Sequence, residues 1–192
     1  MSMRTRRERE RAERERLIVT TARELAEAEG WGAVTTRRLA AEIEYSQPVL
    51  YSHFEGKDAI MAAVAVQGFA EMAAELRTAR QGAKGARDSL AAVAQAYTAF
   101  GRRRPALYDG MFAHRVDLPF ATSQAPSALG EAWGELRRAI EPIAVADDDP
   151  GLLTETFWAC LHGLVTLMRS DRLPEAAHDR RLALLVGHFS TP

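Results

Sequence analysis

Apolar residues recur at three- and four-residue intervals along almost the whole chain, and this spacing limits the fold more than any other feature. It places the apolar side chains on one face of an α-helix, which repeats about every 3.6 residues. Ile60, Val64, Gly68, Met72 and Leu76 form one such series. No segment alternates with period two, as a half-buried strand would. The sequence therefore predicts an all-α protein with about nine helices.

The cysteine count and the lack of long apolar runs indicate where the protein works. Cys160 is the only cysteine, so one chain forms neither a disulfide nor a Cys-based zinc site. The basic N-terminus is not followed by an apolar run, and no stretch approaches the roughly 18 uninterrupted apolar residues of a membrane span. We therefore expect a cytoplasmic protein with no membrane partner.

Positive charge is concentrated at the N-terminus. The whole chain has a net charge of -1, whereas residues 1–16 hold seven Arg and four Glu. A local basic segment suits contact with DNA, and a solvated helix face is the alternative interpretation.

Three helices are predicted within the first 55 residues. The first runs from about Arg11 to Glu29 with Gly30 as its C-terminal cap, and the second follows an N-cap at Thr35. The third follows Ser46, carries Pro48 in its first turn and reaches about Phe54. The short turn between the second and third matches a helix-turn-helix, in which the later helix enters the major groove of DNA. We predict a DNA-binding domain at residues 1–56 and a second helical domain at residues 57–192.

Polar side chains of the third helix are candidates for base contact. Gln47, Tyr51, Ser52 and His53 are expected to be exposed donors, and Gln pairs bidentately with adenine. Threonines at the start of the second helix and a lysine at the start of the fourth suit phosphate, because free backbone N–H groups lie there. Capping, packing and solvation are the ordinary roles of these same residue types.

Residues 17–64 carry a "TT-R-LA" second helix and end in LYSHFEGKDAI, with the pattern "LY-HF-K". With these motifs the segment resembles the DNA-binding domain of the TetR family from end to end. Two positions depart from the family pattern, because Glu44 replaces the usual glycine of the turn and Pro48 replaces a frequent glycine of the recognition helix. These departures affect base preference.

The resemblance implies a homodimer that represses from a palindromic operator and leaves it when a small, apolar effector binds in the C-terminal region. Residues 57–192 are then the ligand-binding and dimerisation domain. It also implies phosphate contacts at Tyr51 and Lys57 and a major-groove position for Gln47, Pro48 and Val49. The predicted DNA-binding residues are Arg4, Arg6, Thr35, Thr36, Arg37, Ser46, Gln47, Pro48, Val49, Tyr51, His53 and Lys57.

The C-terminal region contains FWACLHGLVTLMRS at residues 157–170, which resembles the Trp-x-x-x-His-Gly pattern of one TetR subgroup. Aromatic and thioether side chains are frequent in this part of the chain. They line an effector cavity or fill a hydrophobic core, and the sequence leaves both open. The candidates are Tyr97, Phe100, Tyr108, Met111, Phe112, Phe120, Trp133, Trp158 and His162.

The last two predicted helices have apolar faces that suit a four-helix contact with a second copy. The faces contain Leu152, Phe157, Leu161, Leu164, Val165, Leu182, Leu185 and Val186. We therefore predict a homodimer formed through these helices.

An enzyme is the main alternative, and its candidate residues are His114, His162, His178, His188, Cys160 and the aspartates 147–149. They match no catalytic or metal-binding motif, and the aspartates before Pro150 are typical of a loop and helix cap. A helical adaptor that retained the helix-turn-helix without DNA binding is a third possibility. We expect no catalytic residue, metal or cofactor.

Overall fold

The computed structural model describes residues 3–113, 125–145 and 148–190, with side chains from Thr5 onward. Within these ranges there are nine α-helices, two 3-10 helices and no strand, which confirms the all-α prediction. The α-helices are α1 Met3–Glu29, α2 Thr36–Glu42, α3 Gln47–Tyr51, α4 Lys57–Gly82, α5 Ala86–Arg103, α6 Pro105–Phe112, α7 Ser127–Ile140, α8 Pro150–Arg169 and α9 His178–Phe189. The 3-10 helices are Glu141–Ile143 and Glu175–Ala177.

The chain packs as two compact units, each made of two segments. The first contains Met1–Gly68 and Arg104–Gln124, and the second contains Phe69–Arg103 and Ala125–Pro192. The first unit therefore holds α1, α2, α3, the start of α4 and α6. The division into these two units reflects packing contacts within the chain. It does not test the predicted boundary between functional domains at Gly56 and Lys57, which stays a prediction.

The first unit has a small apolar core to which each of its helices contributes. The fully buried side chains include Ile18, Leu39, Leu50, Ile60 and Leu107. Leu50 is the only α3 residue in this core among the residues that the structure describes, so the rest of that short helix faces outward.

Local capping rules place most helix ends where the sequence predicts them. Gly30 follows α1 with a φ of 81°, and the side chain of Thr35 accepts a hydrogen bond from the Arg38 N–H at 3.1 Å. The side chain of Asp149 accepts from the Gly151 N–H at 2.8 Å and caps α8. α7 stops before Pro142, which lies in a 3-10 turn, because proline lacks the N–H that a helix needs.

The first helix begins earlier than the sequence analysis predicts, at Met3 instead of about Arg11. Arg6 Nε donates to Glu10 Oε1 at 2.7 Å, and Arg11 Nε donates to Glu15 Oε1 at 2.8 Å. Pairs spaced by four residues stabilise a helix by a few tenths of a kcal/mol each, roughly 0.2–0.5 kcal/mol. The charged N-terminal segment is therefore helical without any apolar core of its own.

In the second unit, Glu135 on α7 is a buried carboxylate held by three guanidinium groups. It accepts from Arg77 Nε at 3.0 Å, from Arg80 Nε at 2.8 Å and from Arg138 Nη1 at 2.8 Å. Burial acts to raise the pKa of this carboxyl, but the hydrogen bonds from Arg80 and Arg77 outweigh it and hold the pKa below its usual value. The carboxylate thus joins α4 to α7.

Two helices, Lys57–Gly82 and Pro150–Arg169, have the length and mean hydropathy of candidate membrane spans. Half of the apolar window of the first is buried inside the protein, and 22% of that of the second. Core helices of soluble proteins meet the same criteria, so these two are weak support for a membrane span. The low burial of α8 means that much of its apolar surface faces outward.

Candidate nucleic-acid interface

The outer edge of α3 is formed by the residues of this helix that do not contribute to the core. Gln47, Pro48, Val49 and Tyr51 are exposed, while Leu50 is buried. Pro48 lies in the first turn, where a missing N–H costs nothing. The edge therefore presents an amide, two apolar surfaces and a phenol to whatever docks on it.

The turn before α3 is a Schellman motif. The Tyr45 N–H donates to the Ala40 carbonyl at 2.8 Å, and the Glu44 N–H donates to the Ala41 carbonyl at 3.3 Å. Glu44 has a φ of 56°, in the left-handed region where glycine is usual. The glycine position that the sequence analysis identified is thus occupied by a residue with a Cβ, and the turn keeps its shape.

The start of α2 lies close to the end of α3. Thr36 Oγ1 and Tyr51 Oη are 3.3 Å apart, within hydrogen-bond distance. Thr35 is the N-cap residue of α2, as described above, and capping is the structural alternative to phosphate contact that the sequence leaves open. Arg37 is exposed. The two hydroxyls and the first N–H groups of α2 therefore share one edge with α3.

Lys57 and His53 face inward more than the sequence analysis assumed. Lys57 Nζ donates to the Trp31 carbonyl oxygen at 2.6 Å, which leaves other donors of the ammonium for an outside partner. His53 Nδ1 lies 3.4 Å from Glu15 Oε1, and its side chain is only 5% exposed. The expectation that His53 is exposed is wrong, because α3 ends at Tyr51 and the chain turns back toward α1.

The other predicted DNA-binding residues have simpler surroundings. Ser46 is the exposed N-cap residue of α3, although its side chain makes no capping hydrogen bond. Arg6 is paired with Glu10 on the exposed surface of α1. The side chain of Arg4 lies outside the described part of the structure.

The predicted effector-binding residues are divided between the two units. In the second unit, Trp158 Nε1 donates to Tyr97 Oη at 2.9 Å, and the rings of Trp133 and His162 each lie 6.4 Å from that of Trp158. Burial lowers the pKa of the His162 imidazole, which keeps it neutral at pH 7. Phe100 is fully buried in the same unit.

The remaining effector candidates belong to the first unit. Tyr108 and Phe112 pack on each other in α6 with ring centroids 4.7 Å apart, and Met111 is buried. Phe120 lies outside the described residues. The predicted set is therefore divided between the two units, and its role in binding an effector stays a prediction.

The sequence analysis missed a set of contacts between the end of α1 and the start of α6. Glu27 accepts from the N–H groups of Ala106 and Leu107 at 3.1 and 2.9 Å, and Trp31 Nε1 donates to the Ala106 carbonyl at 2.7 Å. The N-cap residue of α6 is Arg104, which makes no capping bond with its side chain. Arginine is not a usual N-cap residue. Its position before Pro105 is the feature of the sequence that indicates capping of α6 by another segment of the chain.

No group of three or more His, Cys, Asp or Glu residues suited to holding a metal ion occurs within residues 3–113, 125–145 and 148–190. The polar side chains at the α2–α3 edge are donors and acceptors for hydrogen bonds. Their arrangement suits recognition of an anionic, hydrogen-bonding surface.

Comparison with known proteins identifies relatives over both parts of the chain. Residues 18–64 match the family model "Bacterial regulatory proteins, tetR family", and residues 90–189 match "Tetracyclin repressor-like, C-terminal domain". An uncharacterised HTH-type transcriptional regulator of Bacillus subtilis (strain 168), YobS, is 30% identical over 95 residues. That match spans 50% of this chain and 49% of the relative, about half of the length of each.

Solved structures with the same fold cover nearly the whole chain. A protein of unknown function from Rhodococcus sp. RHA1 has a TM-score of 0.78 at 25% identity over 92% of this chain and 93% of its own. A TetR-family transcriptional regulator from Pectobacterium atrosepticum has a TM-score of 0.69 at 20% identity, with 93% and 91% covered. A TetR variant from Acinetobacter baumannii AYE in complex with minocycline has a TM-score of 0.65 at 21% identity, with 90% and 93% covered.

Proposed function

This chain belongs to the tetR family of bacterial regulatory proteins, and from that membership we propose that it binds a palindromic DNA operator as a homodimer. It acts as a cytoplasmic repressor. A small, apolar effector releases it from the operator by binding more tightly to the conformation that does not fit DNA. The chain is a transcriptional regulator, and the operator, dimer and effector are the parts that experiment has to test.

The observation that carries the proposal is the exposed edge of α3. Gln47, Pro48 and Val49 face outward on a helix that the core holds by Leu50 alone among its described residues. An α-helix fits the major groove of B-DNA, where the Gln amide pairs with adenine and apolar groups contact the thymine methyl. We assign base reading to Gln47 and Val49.

Phosphate contacts fix the register of such a helix without specifying sequence. We assign them to Tyr51 and Thr36, which are adjacent at the protein surface, and also to Arg37 and the ammonium of Lys57. The helix dipoles of α2 and α4 favour an anion at their first residues. His53 is not part of this assignment, since it is buried against α1.

The outer face of α8 supports a dimer. Leu152 is 61% exposed and Leu167 is 39% exposed, and small residues Ala159 and Gly163 lie between them on the same face. No described atom lies within 4 Å of a Cβ built on Gly163. On α9, Leu184 is 66% exposed. Exposed leucines flanking small residues allow two helices to approach closely and bury apolar area.

Several of the residues that the sequence analysis assigned to this contact instead pack inside one chain. Phe157, Leu161, Val165, Leu182 and Val186 are buried within the second unit. The proposed dimer therefore uses the opposite face of the same two helices.

The effector is best sought around Trp158. Its ring is half-buried beside Trp133, Tyr97 and a neutral His162. Aromatic walls with a few fixed polar groups are typical of small-molecule sites. A structural neighbour from Acinetobacter baumannii was solved with minocycline, which supports a small molecule as the effector class.

Selection of bound duplexes from a random DNA pool tests the proposed function. We expect the wild-type chain to enrich a palindrome, and Tyr51→Ala to lose that enrichment because it removes a phosphate contact. Tyr51→Phe keeps the ring and removes only the hydroxyl, so it should retain the palindrome with weaker binding. If the wild type enriches no sequence, DNA reading is rejected and the adaptor alternative gains support.

A further inference from the structure

We propose that the N-terminal stretch of α1, residues 3–17, extends the DNA-binding surface with an arginine face made of Arg7, Arg11 and Arg14. This face contacts backbone phosphates beside those that the helix-turn-helix reaches. The inference rests on the proposed function, because it enlarges the same surface.

The stretch lies ahead of the matched family domain and outside the core. The family model begins at residue 18, and the first buried residue of α1 is Ile18. Residues 5–17 are all exposed or half-exposed. A charged helical stretch that contributes no side chain to the core adds little to stability, so most of its side chains are available to an external partner.

The arginine face continues the core-facing side of α1. Arg7, Arg11 and Arg14 precede Ile18 and Ala22 at intervals of three and four residues, which places all five on one side of the helix. From Ile18 onward that side packs into the core of the first unit. The arginines therefore lie on the side of α1 where α2 and α3 are found.

Two contacts attach this stretch to the recognition helix. Arg11 Nη2 donates to the Ser52 carbonyl oxygen at 3.4 Å, at the C-terminal end of α3. Glu15 Oε1 lies 3.4 Å from His53 Nδ1. A cation suits a helix C-terminus because of the helix dipole. Arg7 is one turn from Arg11, about 6 Å along α1, and is thus near the end of α3.

The chemistry of the stretch favours DNA over the other common polyanion, an anionic membrane. Guanidinium groups bind phosphate oxygens bidentately. A helix that lies on a membrane needs a broad apolar face opposite its charges, whereas residues 4–16 contain a single apolar residue, Ala12. The charges also adjoin the proposed DNA surface, so we assign them to DNA.

Two double variants of the full chain test this assignment. Arg7→Ala with Arg14→Ala removes two members of the arginine face. Arg9→Ala with Arg16→Ala removes the same charge from the opposite side of the helix, where both side chains are exposed. Arg11 is left in place because it holds Ser52. Alanine is the best helix former, and circular dichroism verifies that α1 is kept.

Affinity for the selected operator is measured over a salt series, with short and with longer duplex flanks. We expect the Arg7 and Arg14 double variant to reduce the slope of log affinity against log salt by about 1.8 per bound protomer. It should also lose any affinity gained from longer flanks. The Arg9 and Arg16 double variant should keep the flank effect and most of the slope.

Equal losses in the two double variants would mean that net charge alone acts, and would overturn the proposal. Unchanged slopes in both would overturn it as well, while the operator selected by the wild type would leave the proposed function standing. A wild type that selects no operator would reject the proposed function itself. Tight binding of the wild type to anionic vesicles, lost in the Arg7 and Arg14 variant, would reassign the face to a membrane.

Discussion

At the scale of single residues, Glu44 has the least favourable backbone in the proposed DNA-binding surface. Its φ of 56° lies in the left-handed region, which costs a residue with a Cβ about 1–2 kcal/mol. The two hydrogen bonds of the Schellman turn hold it there and fix the angle between α2 and α3.

Glu44→Gly should therefore stabilise the protein. Glycine relieves the strain, and its larger entropy in the unfolded chain offsets part of the gain, so we expect about 0.5–1 kcal/mol and a higher Tm in thermal unfolding. Glu44→Ala is the matched control, since it removes the carboxylate but keeps the Cβ. If alanine stabilises as much as glycine, backbone strain is not the cause.

The buried carboxylate of Glu135 makes a second prediction, on pH. Its pKa is held below the usual value by Arg80 and Arg77 against the effect of burial. A lowered carboxyl pKa stabilises the fold above the pKa of the unfolded state, and this stabilisation is lost as the pH falls below about 4.3.

Glu135→Gln should destabilise the protein at pH 7 by about 2–4 kcal/mol, because three guanidinium groups lose their counter-ion. Denaturant unfolding at several pH values measures this. The difference between wild type and variant should shrink as the pH falls from 6 to about 3. Glu131→Gln, which removes an exposed partner of Arg77, is the control and should change stability by less than about 1 kcal/mol. A difference that is constant with pH would contradict the interpretation.

At the scale of helices, α6 lies in close contact, at Gly110, with Trp31 in the turn that follows α1. A Cβ built on this glycine would lie 2.7 Å from Cζ2 of Trp31, and the Trp31 ring is itself buried. The absence of a side chain at Gly110 therefore sets how closely α6 approaches Trp31.

Gly110→Ala should destabilise the protein by about 1–3 kcal/mol, because the added methyl group displaces a packed indole. Gly130→Ala provides the comparison, since it is also within a helix but no described atom lies within 4 Å of the added Cβ. That variant should be neutral or slightly stabilising. The free energy of unfolding of both variants decides the matter, and equal effects would contradict the packing argument.

The helices show which features a sequence can predict. The helix ends at Gly30, Thr35 and Asp149 follow from capping rules that involve only neighbouring residues, so the sequence predicts them correctly. Contacts that join distant segments, such as Arg11 to Ser52, have no local signal. The sequence predicts that α3 reaches about Phe54, whereas the helix ends at Tyr51. Because of this difference of three residues, the His53 side chain faces the interior instead of solvent.

At the scale of the whole molecule, the proposed dimer makes a prediction about assembly. Leu152→Lys together with Leu184→Lys places two charges on the exposed faces of α8 and α9, and we expect the dimer dissociation constant to rise at least about tenfold. Sedimentation at micromolar concentration measures it.

Leu17→Lys serves as the control for that experiment. Leu17 is 43% exposed on α1, so the same chemical change is made away from the proposed contact. The dimer should persist in this variant. A wild type that sediments as a monomer would remove the basis for palindrome recognition.

The contact between Trp31 and Ala106 also has a consequence for the newly made protein. The two residues are separated by 75 positions, and a ribosome adds about 5–20 residues per second. Roughly 4–15 s therefore pass between the synthesis of Trp31 and that of Ala106. Once Tyr51 has been added, the helix-turn-helix is synthesised while α6 is still missing from its packing unit. Each new copy therefore passes through a stage of synthesis in which the first unit is incomplete and the hydrogen bond from Trp31 to Ala106 has not yet formed.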